Sequence, residues 1–293
     1  MLQYTVDLGD GTVSYIKDSI YNTGLPIKVI DEKDLSIFVN KYPQLGNGEE
    51  GLVFRYDRKT AIKVFECFEE REKLKSKFAK IEELARLKDE NFCFPKGLVG
   101  YLNLKKEGYF MDLVNPNPGC YDFSRLDSLK DMKKVLEYII TADKAIQRIH
   151  KKGIILGDIR DDHILIDKSN TIKFVDTDNY MYLDYYYDLV PGRASWLYHT
   201  YGKKPSAIDN DIFVFTIAAL QHFVSGTIIK MQRNDNYFRE LINSLDVNKE
   251  VKEGLRLILS DAEDKPYLGK VLKKISENEL STRKNLENLN FIK

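Results

Sequence analysis

Two carboxylates in this chain each sit at the end of an apolar run, and that placement suits chemistry on a phosphate. Between residues 149 and 178 the sequence reads IHKKGIILGDIRDDHILIDKSNTIKFVDTD. Ile154, Ile155 and Leu156 lead into Asp158, and Ile172, Lys173, Phe174 and Val175 lead into Asp176. One acid held in this way can accept a proton from a hydroxyl nucleophile, while the other ligates a hard cation through oxygen. Residues 164 to 166 and 172 to 175 read as two strands of a hairpin around Lys168-Ser169-Asn170. Aspartate is also common in hairpin loops, so the same two acids taken alone are equally well turn residues.

A second pattern lies upstream. Gly46, Gly48, Gly51 and Val53 fall in the order G-x-G-x-x-G-x-V, and Ala61-Ile62-Lys63 follows. Glycines at such positions let backbone N–H groups approach phosphate oxygens with no side chain in the way. Lys63 lies in the alternating stretch Thr60-Ala61-Ile62-Lys63-Val64-Phe65. A lysine there faces either solvent or an anion, and after a glycine loop the expectation is an anion. A Rossmann dinucleotide site uses similar glycines but needs a helix straight after them, whereas residues 52 to 56 read as strand. The glycine loop, the strand lysine and the two acids come in the order of the protein-kinase signature set. The chain resembles the protein-kinase superfamily over roughly residues 39 to 275.

The resemblance implies a nucleotide, ATP, with Mg2+ or Mn2+. Gly46, Gly48 and Gly51 would cover the phosphates, and Lys63 would hold the α and β groups. Val53 and Ala61 would sandwich the adenine with Met111 behind it, and backbone groups of Asp112 to Val114 would hydrogen-bond the base. Asp176 and His163 would hold the metal. Asp158 would act as base or orienter for the acceptor hydroxyl, with Arg160 near the transferring phosphoryl group. A glutamate on the helix expected over residues 67 to 90 would hold Lys63. At about 100° per residue, Glu82 borders the Phe78 side of the stripe Leu74, Phe78, Ile81, Ala85, whereas Glu83 projects almost opposite it, so Glu82 is the choice.

Four departures from the family pattern shape the reading. The His-Arg-Asp triplet is here Leu156-Gly157-Asp158, and a glycine before the aspartate occurs in small-molecule kinases of the superfamily. His163 replaces the usual asparagine ligand; imidazole nitrogen suits manganese better than magnesium, and lipopolysaccharide-core sugar kinases look similar at this position. Asp-Phe-Gly becomes Asp176-Thr177-Asp178, which adds a further acid. No Ala-Pro-Glu precedes Asp211, and the arginine that pairs with such a glutamate is Lys265, which puts the peptide-docking side in doubt.

The elements that must position these residues give an α+β chain. The expectation is a bilobal protein kinase-like fold, with a small antiparallel β-sheet lobe plus one helix and a mainly helical large lobe. Residues 1 to 37 would be an extension packed on the small lobe, 38 to 114 the small lobe, 115 to 276 the large lobe, and 277 to 293 a tail. In the extension, residues 5 to 13 read as a hairpin, 25 to 30 as a strand and 32 to 40 as a short helix. Asn115-Pro116-Asn117-Pro118-Gly119 extends neither a strand nor a helix and suits a linker. Residues 131 to 150 carry a broad apolar helical face and end on His150, which reads as structural. Asp211 reads as opening a buried helix and bracing the loop at Asp158. The tyrosines between 179 and 192 read as packing residues of a fixed loop.

Composition excludes little but directs the rest. Lys+Arg and Asp+Glu both number 45, so the formal charge is zero, which points away from nucleic acid and anionic membrane surfaces as partners. Cys67, Cys93 and Cys120 have no metal-ligand spacing and read as free thiols of a reducing compartment. No apolar run reaches the roughly 18 residues of a membrane span, and the N-terminus opens no signal peptide, so a cytoplasmic protein is expected. Three functional readings follow: a protein Ser/Thr kinase, a small-molecule or glycan kinase, and an ATP-binding pseudokinase scaffold. The acceptor is an unidentified hydroxyl of a protein or a small molecule, and the oligomeric state is not specified.

Overall fold

The computed structural model describes residues 4–7, 13–16, 27–30, 41–48, 50–65, 71–101, 106–182, 207–225, 235–260, 262, 264–275 and 284–285. The helix expected over 32 to 40, Cys67, and the tyrosines at 185 to 187 lie outside these. The protein is α+β, and the chain divides into two compact units, residues Met1–Asn115 with Lys173–Asp178, and Pro116–Ile172 with Asn179–Lys293.

The first unit is built on one mixed sheet. Its strands are β1 (Tyr4–Asp7), β2 (Val13–Ile16), β3 (Ile27–Ile30), β4 (Gln44–Gly48), β5 (Gly51–Arg55), β6 (Thr60–Phe65), β7 (Gly97–Tyr101) and β8 (Lys106–Asp112). They run in the order β2-β1-β3-β7-β8-β6-β5-β4. The five strands from β4 to β8 form an antiparallel set. The hairpin expected near residue 5 is β1–β2. It joins the sheet through β3, which pairs in parallel with β7, so these N-terminal strands lengthen the sheet edge.

Side-chain alternation on β6 sorts the core into two layers, because successive residues of a strand face opposite ways. Ile62 and Val64 join Leu52, Phe54 and Val99 on one face. Ala61 and Phe65 join Tyr109, Met111, Leu98 and Cys93 on the other, where α1 (Arg71–Leu84) lays Phe78 and Ile81. Burying side chains of this size stabilises by roughly 1.5–3 kcal/mol each. Residues 173 to 178 complete this unit. Phe174 stacks on Phe92 with ring centroids 4.6 Å apart, accepts a hydrogen bond from Cys93 N at 2.9 Å and donates to Asn91 O at 2.7 Å.

The second unit is mainly helical: α2 (Met132–His150), α3 (Ala207–Leu220), α4 (Asp235–Ser244), α5 (Lys249–Leu259) and α6 (Leu268–Leu272). Asp131 caps α2 by accepting from the N–H groups of Lys133 and Lys134, which fixes where the helix starts. Val135, Ile139, Ala142, Ile146 and Ile149 then bury one face. After α2 come the short strands β9 (Ile154–Ile155), β10 (Ile164–Ile166) and β12 (Met181–Tyr182), while β11 (Ile172–Phe174) starts at the last residue of this stretch and runs into the segment counted with the first unit. β9 pairs antiparallel with β12. Between β10 and β11 the turn is closed by Asp167, whose carboxylate accepts from the N–H groups of Ser169 and Thr171. Among the described residues no helix is long and apolar enough to cross a membrane.

Candidate functional site

Strand register explains why Lys63 is buried. It shares a face of β6 with Ala61 and Phe65, and its ladder partners are Val53 and Tyr109. All of these line the side covered by α1, so Lys63 points into the unit and is 3% exposed. The anion it meets comes from the far segment of the chain. Its ammonium contacts Asp176 Oδ1 and lies 3.0 Å from Asp178 Oδ1. Burial alone would lower the Lys63 pKa, but the carboxylates of Asp178 and Asp176 outweigh it and hold the lysine charged.

The two acids differ in what they can do. Asp178 is fully buried, and its oxygens receive Lys63, Lys77 Nζ at 2.7 Å and Tyr109 Oη at 2.7 Å. Burial favours its neutral form, yet Lys77 and Lys63 hold its carboxyl well below the usual carboxylate range. Enclosed and held by three donors, Asp178 serves as the internal counter-ion of this site. Asp176 is the accessible acid, with 27% of its side chain exposed. Its φ of 57° lies in the left-handed region, which aspartate tolerates better than most residues.

The glutamate expected to hold Lys63 does not do so. The ion partners of Lys63 are Asp176, Asp178 and, at 4.0 Å, Glu50. From α1 it is Lys77 that reaches the same carboxylates. Among the described positions of α1, Lys77, Phe78, Ile81 and Leu84 are the buried ones; Lys77 stands within that face, whereas Glu82 is half-buried at its edge, about 40° beyond Phe78. Lys77 was legible in principle, since it lies three residues after Leu74 and four before Ile81, on the apolar stripe itself.

The glycines divide by role. Gly48 and Gly51 pair across the two-residue turn that carries Glu50. A Cβ on Gly51 would collide with Val64 O and lie 2.9 Å from Phe65 Cα, so this glycine is required by the approach of β5 to β6. Among the described residues, a Cβ on Gly46 would come no closer than 4.0 Å, to Val53 Cβ, and one on Gly48 no closer than 3.7 Å, to Gly51 O. Val53, Ala61, Met111 and Val114 share one apolar cluster, so the residues expected around an adenine lie together. Asp112 is exposed and pairs with Lys96 at 2.5 Å, and Leu113 N donates to Lys59 O at 2.8 Å.

In the second unit the loop 157–163 hangs on Asp211. That carboxylate accepts from Leu156 N at 2.8 Å and Gly157 N at 2.9 Å, and lies 2.9 Å from His150 Nε2. The other nitrogen of His150 meets Tyr267 Oη at 2.9 Å, so both ring nitrogens are engaged and the residue is structural. Asp211 lies inside α3, which begins at Ala207, and does not open the helix. Gly157 takes φ 71°, a conformation that glycine adopts without strain, and this turn delivers Asp158. His163 Nδ1 is 3.2 Å from Asp158 O and 3.9 Å from Asp158 Oδ2. Arg160 is held by Asp162 through two hydrogen bonds, at 2.9 and 2.8 Å. Asp161 turns inward and accepts from Gln221 Nε2, and burial pushes its carboxyl up to about 6.

Asp176 and His163, the expected metal pair, belong to the first and second unit respectively. Among the described residues no group of three or more His, Cys, Asp or Glu side chains forms a metal cage. No protein-family model and no curated protein matches the chain.

Proposed function

We propose that the protein is an ATP-dependent phosphotransferase of bilobal, protein kinase-like architecture that moves the γ-phosphoryl group of ATP to a hydroxyl, with protein serine or threonine as the first acceptor. The observation that carries this reading is the meeting of Lys63 with Asp176, 113 residues away in sequence, beside a glycine turn. In this reading Lys63 neutralises the α and β phosphates, and Val53, Ala61, Met111 and Val114 enclose the base. Phosphoryl transfer needs mainly positioning and charge neutralisation. Asp158 takes the proton of the attacking hydroxyl as the new P–O bond forms, and ADP leaves with the electrons of the broken bond.

Magnesium commonly takes one or two carboxylates and completes its shell with phosphate oxygens and water, so the lack of a cage among the described residues does not conflict with it. Asp176 offers such a carboxylate, and an ion bound to it would neutralise charge on the transferring group; the imidazole nitrogen of His163 is of the kind better suited to manganese.

The test is mass spectrometry of the full-length protein after incubation with ATP and Mg2+ or Mn2+, beside Asp158→Asn. Added mass of one phosphate per site in the parent and none in the variant supports the reading. A small-molecule or glycan acceptor is the second reading, favoured by Lys265, which donates to Ser260 O at 2.7 Å and lies over Phe213. ATP consumption that needs a metabolite extract and leaves the protein unlabelled selects it. No turnover with any acceptor, alongside retained ATP binding, selects the scaffold instead.

A further inference from the structure

One acid in the first unit is left unused by this reading. Glu50 sits on the tip of the glycine turn, and its Oε2 lies 2.6 Å from Lys77 Nζ and 4.0 Å from Lys63 Nζ. The two ammoniums are buried, with 8% and 4% of their side chains exposed, whereas Glu50 is 39% exposed. A solvent-facing carboxylate therefore caps a pair of buried cations whose inner sides are held by Asp178. Lys80 adds a third cation on α1. It is half-buried, and burial followed by the nearness of Lys77 lowers its pKa to about 8. Among the described residues, Lys63, Lys77 and Lys80 thus stand against Asp176, Asp178 and Glu50.

We propose that Lys77 is a second phosphate-binding cation of this site and that Glu50 occupies the place of a phosphate until the nucleotide displaces it. The inference rests on the phosphotransferase reading and extends it. A short turn closed by Gly48 and Gly51 carries the carboxylate, so it can swing off Lys77 without disturbing the ladder of β5 and β6. A triphosphate then meets two ammoniums that are already desolvated and oriented by Asp178.

The experiment measures equilibrium binding of ATP, inorganic tripolyphosphate and adenosine to the full-length protein and to Glu50→Gln and Lys77→Gln. Glu50→Gln should tighten ATP and tripolyphosphate by roughly threefold to fivefold, the scale of one partly exposed ion pair. Lys77→Gln should weaken both by about tenfold or more, as loss of a charge-assisted hydrogen bond does. Adenosine should bind the parent and both variants alike, because it brings no phosphate. Glu50 is on an exposed turn, so its variant keeps the question answerable if Lys77→Gln fails to fold. Parent-like or weaker ATP binding by Glu50→Gln overturns the inference while the phosphotransferase reading stands. A parent protein that binds neither ATP nor tripolyphosphate overturns both.

Discussion

Two acids, Asp178 fully buried and Asp161 half-buried, give opposite pH signatures, and each can be read separately. Asp178 has its folded pKa depressed by Lys77 and Lys63, so its stabilising contribution is present above its ordinary value near 3.8 and is lost as pH falls through the depressed one. Replacing it by asparagine leaves two buried ammoniums short of a counter-charge, which costs roughly 3–5 kcal/mol near neutral pH. Urea unfolding should show that deficit at pH 7 and a smaller one below about pH 4, where the unfolded parent is protonated. Asp161 is the reverse case: its folded pKa is raised to about 6, so the stability it supports is present below 3.8 and lost as pH rises through 6. Asp161→Asn should raise the Tm by a few degrees at pH 8 and leave it unchanged near pH 4. At this scale the sequence was informative about types and poor about partners. Lys63 and Asp176 were both expected at the phosphates of one site because motif order connects them, but their direct contact was not foreseen. Tyr109 and Lys77 were missed because each reaches Asp178 only through a register or a helix phase that tertiary packing sets.

At the scale of elements, alternation did most of the work that sequence reasoning could do. Thr60 to Phe65 alternates between two core layers, and that pattern is what turns Lys63 inward together with Ala61. The parallel pairing of β3 with β7 was not legible, since nothing in a four-residue strand states which edge it will join. The glycine motif was read as freedom for phosphate approach, yet its members carry different constraints. Gly51→Ala drives a methyl into the backbone of β6 and should cost about 1–3 kcal/mol or more in chemical denaturation. Gly46→Ala meets no atom closer than 4.0 Å and should leave the unfolding midpoint within about 0.5 kcal/mol of the parent. If the turn covers phosphates, Gly46→Ala should still weaken ATP binding, and the two readouts then separate a folding glycine from a ligand glycine.

For the whole molecule, the consequential feature is that the first unit closes only with a segment drawn from residues 173 to 178. That segment supplies both the aromatic Phe174 and the carboxylates of Asp176 and Asp178. A fragment of residues 1 to 115 therefore keeps Lys63, Lys77 and Glu50 but loses Asp176 and Asp178. Buried ammoniums that lose a buried counter-charge cost several kcal/mol each, a large share of the stability of a domain this size. The fragment should show no cooperative unfolding transition by circular dichroism. The same fragment carrying Lys63→Met and Lys77→Met removes the charge problem but not the lost stacking of Phe174 on Phe92. Partial recovery of a transition in the double variant assigns the defect to charge, because apolar residues often replace buried ion pairs without loss. No recovery assigns it to the missing strand and its aromatic contact. Either result ties the fold of the first unit to the residues that make its site, since the segment that neutralises Lys63 is also part of the core.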